Sequence, residues 1–450
     1  MKKIISLLLV GVLMFNVFLA DGLVNKGTLV YAKSTSKKTS AAEEALGYNP
    51  AKVSGDVMKI TTKRKSSFDE MTDCYNSFTL RTLKEVLKNS DKNENVMISG
   101  ASLMFALDMA AVGANGETYK QIARLFKKGA TKRDLVSFAN TYRKNLTKNG
   151  MVNIANSIWI NNNNLRENNV EVNEEYLNFL RKYFKAASAS LDFNDDAKKI
   201  INTWISDKTK GMIKDGVDKL NDETLMLIVN AMAFEGKWAK EYSESQINEN
   251  GTFTNSKGEK ETAKMLSSME SYYLSSDSAE GFLKYYEGGK YAFMAMLPFD
   301  KDISMSDFIS GMDEGEFSEF LQSKSMYDVE TLIPSFEFDY DINLNNTLKN
   351  MGMELPFKES ADFLKMIDPA TVNPNLVVYI GNVIQKTHIE LDENGTKAAA
   401  TTIIEITCGT TSVEPERRTK RVILDRPFVF AIMDMETGTP VFCGAVNSVA

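Results

Sequence analysis

Histidine is almost missing from this chain: His388 stands alone among 450 residues. That removes most zinc sites, which draw on several histidines or cysteines, and any Ser/His/Asp or Cys/His arrangement would have to be built around that one residue. His388, in a strand-like run, reads as a structural histidine satisfied by its neighbours. Cysteine is scarce as well. Cys74, Cys408 and Cys443 are too few and too far apart for a disulfide scaffold, so stability must come mainly from a core. Cys443 lies in an apolar run and reads as core; Cys408 reads as a loop thiol. No glycine-rich phosphate cradle follows a strand, and no paired metal-ligand spacing occurs. The pair Glu259 and Glu261 reads as a solvated turn. No metal or cofactor is implied, and an enzyme is the less supported class. Basic charge is short too, with a net charge of −7. A nucleic-acid partner is therefore not expected.

Long apolar runs are confined to the start. Lys2 and Lys3 precede an apolar stretch from Ile4 to Ala20, and Val30-Tyr31-Ala32 suits a signal-peptidase site. Residues 1–32 read as a secretory signal, with a short membrane anchor as the alternative. Removing that segment takes away Lys2, Lys3, Lys26 and Asp21, leaving 50 basic and 59 acidic residues and a net charge of −9. Residues 33–67 are rich in Lys, Ser and Thr without hydrophobic period, the mark of a flexible tether. Helical spacing follows at Met71, Tyr75, Phe78, Leu83, Val86 and Leu87. Further helices are expected over Ser102–Val112, Gly116–Phe126, Lys132–Lys148, Glu174–Tyr183 and Ala197–Lys208. Strands are expected over Val152–Ile160, Leu225–Phe234, Tyr291–Leu297, Val329–Phe338, Val377–Val383 and Phe428–Met433. Helices lead and strands follow with no break in composition after residue 67, so residues 68–450 read as one α+β domain.

One stretch stands out. Residues 393–411 read ENGTKAAATTIIEITCGTT, poor in charge near the end of an acidic chain. In a strand, alternate residues face opposite sides. Thr396, Ala398, Ala400, Thr402, Ile404, Ile406 and Cys408 would share one uncharged face, while Lys397 and Glu405 would share the other. Gly395 and the alanine run nevertheless make a weak strand start. The segment can become a strand without being committed to it.

Several blocks together resemble the serpin family across residues 68–450. They begin with Asn95-Val96-Met97-Ile98-Ser99, with Ser102, Ala106 and Leu107 behind it, and Gly113-Ala114-Asn115-Gly116-Glu117-Thr118 with Gln121. Ala155-Asn156-Ser157 and Ile201-Asn202-Thr203-Trp204 follow. Ile228-Val229-Asn230-Ala231 then leads to Phe234, Gly236, Lys237 and Trp238. Leu297-Pro298, Pro334-Ser335-Phe336, Ala361-Asp362-Phe363 and Arg426-Pro427-Phe428-Val429-Phe430 complete the order.

The resemblance implies a single domain of three β-sheets and about nine helices, with an exposed reactive-centre loop at about 393–425. It implies an inhibitor rather than an enzyme. A target protease cleaves the loop, forms an acyl-enzyme, and is trapped as the loop inserts into the central sheet as a new strand. The hinge would be Glu393, Gly395, Thr396, Ala398, Ala399 and Ala400, with Lys397 in place of the usual acidic residue. Ser99, Ser102, Asn230, Trp238 and Gln385 would hold the sheet shut or meet the incoming loop. Gln385 stands where the family usually has a histidine, so Asn230 or Ser99 is its expected partner, and Gly100 stands where a proline is usual.

Counting from the hinge places cleavage at Gly409-Thr410, or one residue earlier at Cys408-Gly409. Cutting in the basic run Arg417, Arg418, Lys420 and Arg421 would lengthen the tether by roughly 25 Å at strand rise, so that run reads as solvated loop or exosite. The small residue before the bond suits an elastase-like or subtilisin-like serine protease, with a papain-like cysteine protease as the alternative partner. A non-inhibitory binding or carrier protein on the same fold is the alternative function. The expected product is a monomer, secreted or tethered at the cell surface.

Overall fold

The computed structural model describes residues 4–11, 67–221, 223–313, 315–372, 376–396 and 418–450. Of the expected site, Ala398, Ala399, Ala400, Cys408, Gly409 and Thr410 lie outside the described residues, as does most of the expected leader and tether. The described residues hold ten α-helices and two hydrogen-bonded ladders of strands, a mixed α+β architecture. None of these helices is long and apolar enough to cross a membrane. The chain divides into two compact units. The first comprises Met1–Thr82, Ser99–Ala233 and Asp341–Thr387; the second comprises Leu83–Ile98, Phe234–Tyr340 and His388–Ala450.

In the first unit the helix Gly100–Gly113 is buried at every position. A helix enclosed on all sides needs no amphipathic stripe, and its apolar run shows none. Ser99 caps it, its Oγ accepting from the Ser102 amide at 3.2 Å. The departure at Gly100 has a steric reason, because a Cβ there would lie 2.2 Å from the Thr79 Oγ1. Around this helix the expected helices fall into place. Gly116–Phe126 and Glu174–Tyr183 match residue for residue, and Ser67–Asn89 begins at the last residue of the expected tether. Phe78 packs on Phe126 at 4.5 Å and Tyr75 on Tyr142 at 5.2 Å.

The sheet of this unit runs Ala187–Leu191, Val152–Asn161, Thr224–Phe234, Ile4–Gly11, Val377–Leu391. Every residue of Thr224–Phe234 is buried, as expected of a strand covered on both faces. The backbone of Ile4–Gly11 lies between two strands and pairs parallel with both. Leu9 stands beside Val383 on one side and Ile228 on the other, and Gly11 beside Gln385 and Asn230. Thr224–Phe234 and Val377–Leu391 are thus parallel to each other across the width of one strand.

The second unit is built on the 16-residue strand Lys260–Ser275. Its first half pairs with Ile247–Thr254, its length with Ser325–Pro334, and its last residues with Ala279–Tyr285. Two of the three expected sheets therefore run on through it as one nine-stranded ladder. The expected strand Val329–Phe338 is instead split at Ser335 between Ser325–Pro334 and Phe336–Asn343. Phe293 stacks on Phe430 at 6.1 Å in the core beneath. Cys443 lies in that core, and burial pushes its thiol up to about 12, as an inert core cysteine requires. Glu261 is no solvated side chain: it accepts from the Val449 amide and the Ser448 hydroxyl, both at 2.8 Å, and so anchors the C-terminus.

Asp108, on the enclosed helix, is 1% exposed, and neither carboxylate oxygen has a hydrogen-bond partner. Around it lie Met71, Tyr75, Met104, Phe126, Leu135 and Phe138. Burial raises its pKa well above the ordinary carboxylate value. The folded chain then binds a proton that the unfolded chain releases, so Asp108 costs stability as pH rises above about 4. Asp108→Asn should raise the denaturant midpoint at pH 7, because the buried carboxyl no longer has to hold a proton that neutral solution would remove. The gain should shrink towards pH 4; a gain independent of pH would refute the assignment.

Candidate functional site at the loop hinge

The strand Val377–Leu391 ends in a tight reversal. Asp392 Oδ1 accepts from the Asn394 amide at 2.7 Å and the Gly395 amide at 3.1 Å, an Asx-type turn that closes within four residues. Gly395 and Thr396 then run back antiparallel, Thr396 beside Leu391, and pair on their other side with Gly236 and Lys237. Gly395 has φ +156, and a Cβ on it would lie 2.1 Å from the Gly236 carbonyl oxygen. Glycine is needed here for the close approach of two backbones.

Trp238 receives this turn. Its amide donates to the Asn394 carbonyl at 3.0 Å and its indole Nε1 to the Asp392 carbonyl at 2.9 Å. The indole stacks on Tyr286 at 4.6 Å. Thr396 is 4% exposed, and its hydroxyl lies 2.7 Å from the Tyr286 hydroxyl. The inward parity expected of Thr396 is therefore met in the structure. Beneath the indole, Lys284 is buried and paired with Glu270 at 2.9 Å, its ammonium 5.2 Å from the Trp238 ring. Burial lowers the Lys284 pKa, and Glu270 opposes that.

Glu393, on the outer side of the turn, pairs with Lys264 at 2.7 Å. Burial alone would push its carboxyl up; the Lys264 ammonium more than offsets this, and the group titrates below the ordinary range. Ser335 Oγ donates to the Leu391 carbonyl at 2.8 Å. Asp392, Lys264, Tyr286 and Lys284 were not marked by the sequence, because nothing local ties residues 264–286 to residue 396.

The remaining expected residues form a second cluster, in the first unit. Gln385 makes a paired contact with one residue: its Oε1 accepts from the Ser99 amide at 3.0 Å and its Nε2 donates to the Ser99 carbonyl at 2.9 Å. A carboxamide offers donor and acceptor side by side, which matches the N–H and C=O of a single residue; a neutral imidazole carries them on opposite edges. Of the two expected partners, Asn230 and Ser99, Gln385 thus bonds Ser99. Asn230 Nδ2 donates to Asn156 Oδ1 at 2.6 Å, and Asn156 Nδ2 to the Phe184 carbonyl at 2.7 Å. Ser102 contributes its backbone amide to the cap, while its hydroxyl has no hydrogen-bond partner.

The basic run is tied down where it is described. Lys420 lies 4.7 Å from the Tyr273 ring, and Arg421 lies 3.8 Å from Glu330, in a strand paired with Asp328–Leu332.

Residues 73–449 match the family model Serpin (serine protease inhibitor). The chain belongs to the serpin family. A serpin-like protein of Thermococcus kodakarensis is 27% identical over 381 residues, 83% of this chain and 84% of that one. The thermophilic serpin tengpin, solved in its native state, is 32% identical with a TM-score of 0.74, covering 86% of this chain and 96% of the other; its latent state gives 0.72. Human thyroxine-binding globulin, solved with its hormone, gives 0.72 over 86% of this chain and 100% of its own, at 21% identity, a likeness of fold alone. The three-sheet α+β fold of serpins is thus the fold of this chain, and serpins in general are protease inhibitors rather than enzymes.

Gln385→Leu should destabilise this serpin by about 1–3 kcal/mol, since the buried Ser99 amide loses its acceptor while the Ser99 carbonyl keeps the Leu103 amide; equilibrium unfolding would measure it, and no change in stability would contradict the pairing. The depressed Glu393 carboxyl contributes stability that is present above its ordinary pKa of about 4.3 and lost as pH falls below it. Glu393→Gln should remove that acid-side loss at the hinge, seen as flattened protection of the Asn394 and Gly395 amides in hydrogen exchange between pH 5 and 3.

Proposed function

We propose that this serpin is a secreted suicide-substrate inhibitor of an elastase-like or subtilisin-like serine protease, with cleavage at Gly409-Thr410. The observation that carries this reading is the hinge. Gly395 and Thr396 already run antiparallel to the end of Val377–Leu391 and pair on their other side with Gly236 and Lys237, the direction an inserted loop needs. The space between Val377–Gln385 and Thr224–Asn230 accepts a strand, since Ile4–Gly11 bonds along both its edges.

Register supports the position of the bond. Continued antiparallel from the Leu391 and Thr396 pair, the loop would set Ala398 beside Ile389, Ala400 beside Thr387 and Thr402 beside Gln385, all partners on the buried parity of that strand. Gly409 would reach Val378, one residue from the strand's first residue. Cleavage after Arg417 would carry seven residues past that end. Each inserted residue adds ladder bonds worth about 0.5–1.5 kcal/mol net, against an ordering cost of about 1 kcal/mol. Burial of Ile404 and Ile406 then tips the balance.

Removal of residues 1–32 as a signal peptide fits this mechanism. Ile4–Gly11 lies along Val377–Gln385, where loop residues 402–410 would go. A chain that kept those residues there would be cut without trapping its protease, and this occupied space is what favours the second reading, a non-inhibitory binding protein.

The test is to incubate the leader-free serpin with elastase, subtilisin and trypsin, resolve the products on denaturing gels and weigh the released peptide. A denaturant-stable complex, with a peptide beginning at Thr410 or Gly409, is the expected result. Clean cleavage with every protease still active would favour the second reading. Thr396→Arg puts a guanidinium where a nearly enclosed hydroxyl sits; it should lower the yield of stable complex at least tenfold and leave cleavage intact.

A further inference from the structure

Four side chains meet on the outward face where Phe336–Asn343 pairs with the C-terminal end of Val377–Leu391. Strand alternation puts Glu337 and Asp339 on one side of this seam and His388 and Glu390 on the other. His388 Nδ1 lies 2.9 Å from Asp339 Oδ1, and its Nε2 lies 3.9 Å from Glu337 Oε1. One ligating atom from each of Glu337, His388 and Glu390 falls within 4.8 Å of the others. The imidazole is not the satisfied structural group its solitude suggests. Its side chain is 8% exposed, yet Nε2 has no hydrogen-bond partner.

We propose that Glu337, His388 and Glu390 bind a divalent cation of the zinc class, with Asp339 as the positioning residue. By accepting the Nδ1 proton, Asp339 selects the tautomer whose Nε2 lone pair points at the two carboxylates. This is the carboxylate–histidine–metal arrangement that raises ligand basicity and fixes ring orientation. One imidazole nitrogen and two carboxylate oxygens make three protein ligands, leaving the fourth tetrahedral position for water. Magnesium and calcium prefer an all-oxygen shell, and the buried nitrogen argues against them. Tetrahedral bonds of about 2.05 Å set donors about 3.3 Å apart, so the ligands must draw in by about 0.6 to 1.5 Å. Glu337 is exposed and free to turn.

The bound ion would staple two strands just before the hinge. Glu390 precedes Glu393 by three residues and His388 by five, so the cation would hold the end of the strand from which the loop departs. Binding to the native form alone stabilises that form by mass action.

The experiment uses tag-free, metal-stripped serpin carrying Cys408→Ser, so that the loop thiol cannot contribute. Zinc chloride is titrated by calorimetry, and thermal unfolding is followed with zinc or with magnesium. One zinc per chain is expected, with a rise in unfolding temperature that magnesium does not reproduce. His388→Gln and Glu337→Gln should each weaken binding at least tenfold, and Asp339→Asn by about 10–100-fold. Glu337 is exposed, so its variant should unfold at the unchanged temperature without metal, which separates lost ligation from lost fold. Zinc binding no tighter than millimolar, or binding undiminished in both His388→Gln and Glu337→Gln, would overturn the proposal.

Discussion

Two parallel strands held one strand's width apart set the terms for everything else in this molecule. Backbone N–H and C=O groups facing that space must find partners, because an unpaired buried peptide group is costly. In the structure the backbone of Ile4–Gly11 fills the space and pairs with both strands. On one side Gln385 fastens its strand to the cap of the enclosed helix through Ser99. On the other, Asn230 is fastened sideways to Asn156. Each lip is held by its own neighbour, and the strand that lies between them is bonded to both.

The hinge follows from that arrangement. A chain leaving one lip must reverse at once to meet the space, and Asp392, Gly395 and Gly236 make the reversal as tight as backbone contact permits. Trp238 and Tyr286 then supply a floor with polar groups at the three points where the turn has carbonyl or hydroxyl oxygens to satisfy. The small residues that follow Thr396 in the sequence are those a sheet interior can accept without displacing what already packs there.

Much of this was legible in the sequence where local physics decides structure. Gly116–Phe126 and Glu174–Tyr183 carry clear helical period and defined ends, and the structure adds nothing to their bounds. The apolar run from Val377 ends at Val383, where Gln385, Lys386, Thr387 and His388 replace it with alternation; the strand continues through the run that carries His388 to Leu391. Lys260–Ser275 was missed for the same reason, its polar face masking its length. Within the site, Trp238, Thr396, Gln385 and Ser99 were marked in advance by likeness to a family. Their partners were not. The match of Gln385 to Ser99 over Asn230 depends on the Asn156 side chain, and the Tyr286 hydroxyl that receives Thr396 lies 110 residues away in the chain.

The solitude of His388 has a practical side. A chain with one imidazole gives one set of imidazole ring resonances in a proton spectrum, with no labelling and no assignment by mutation. That ring sits on the strand that carries the hinge, against a carboxylate of the neighbouring strand. Any event that moves this strand pair, whether a cut in the loop, a new strand beside it or an ion at its edge, would be reported by a single native probe already in place.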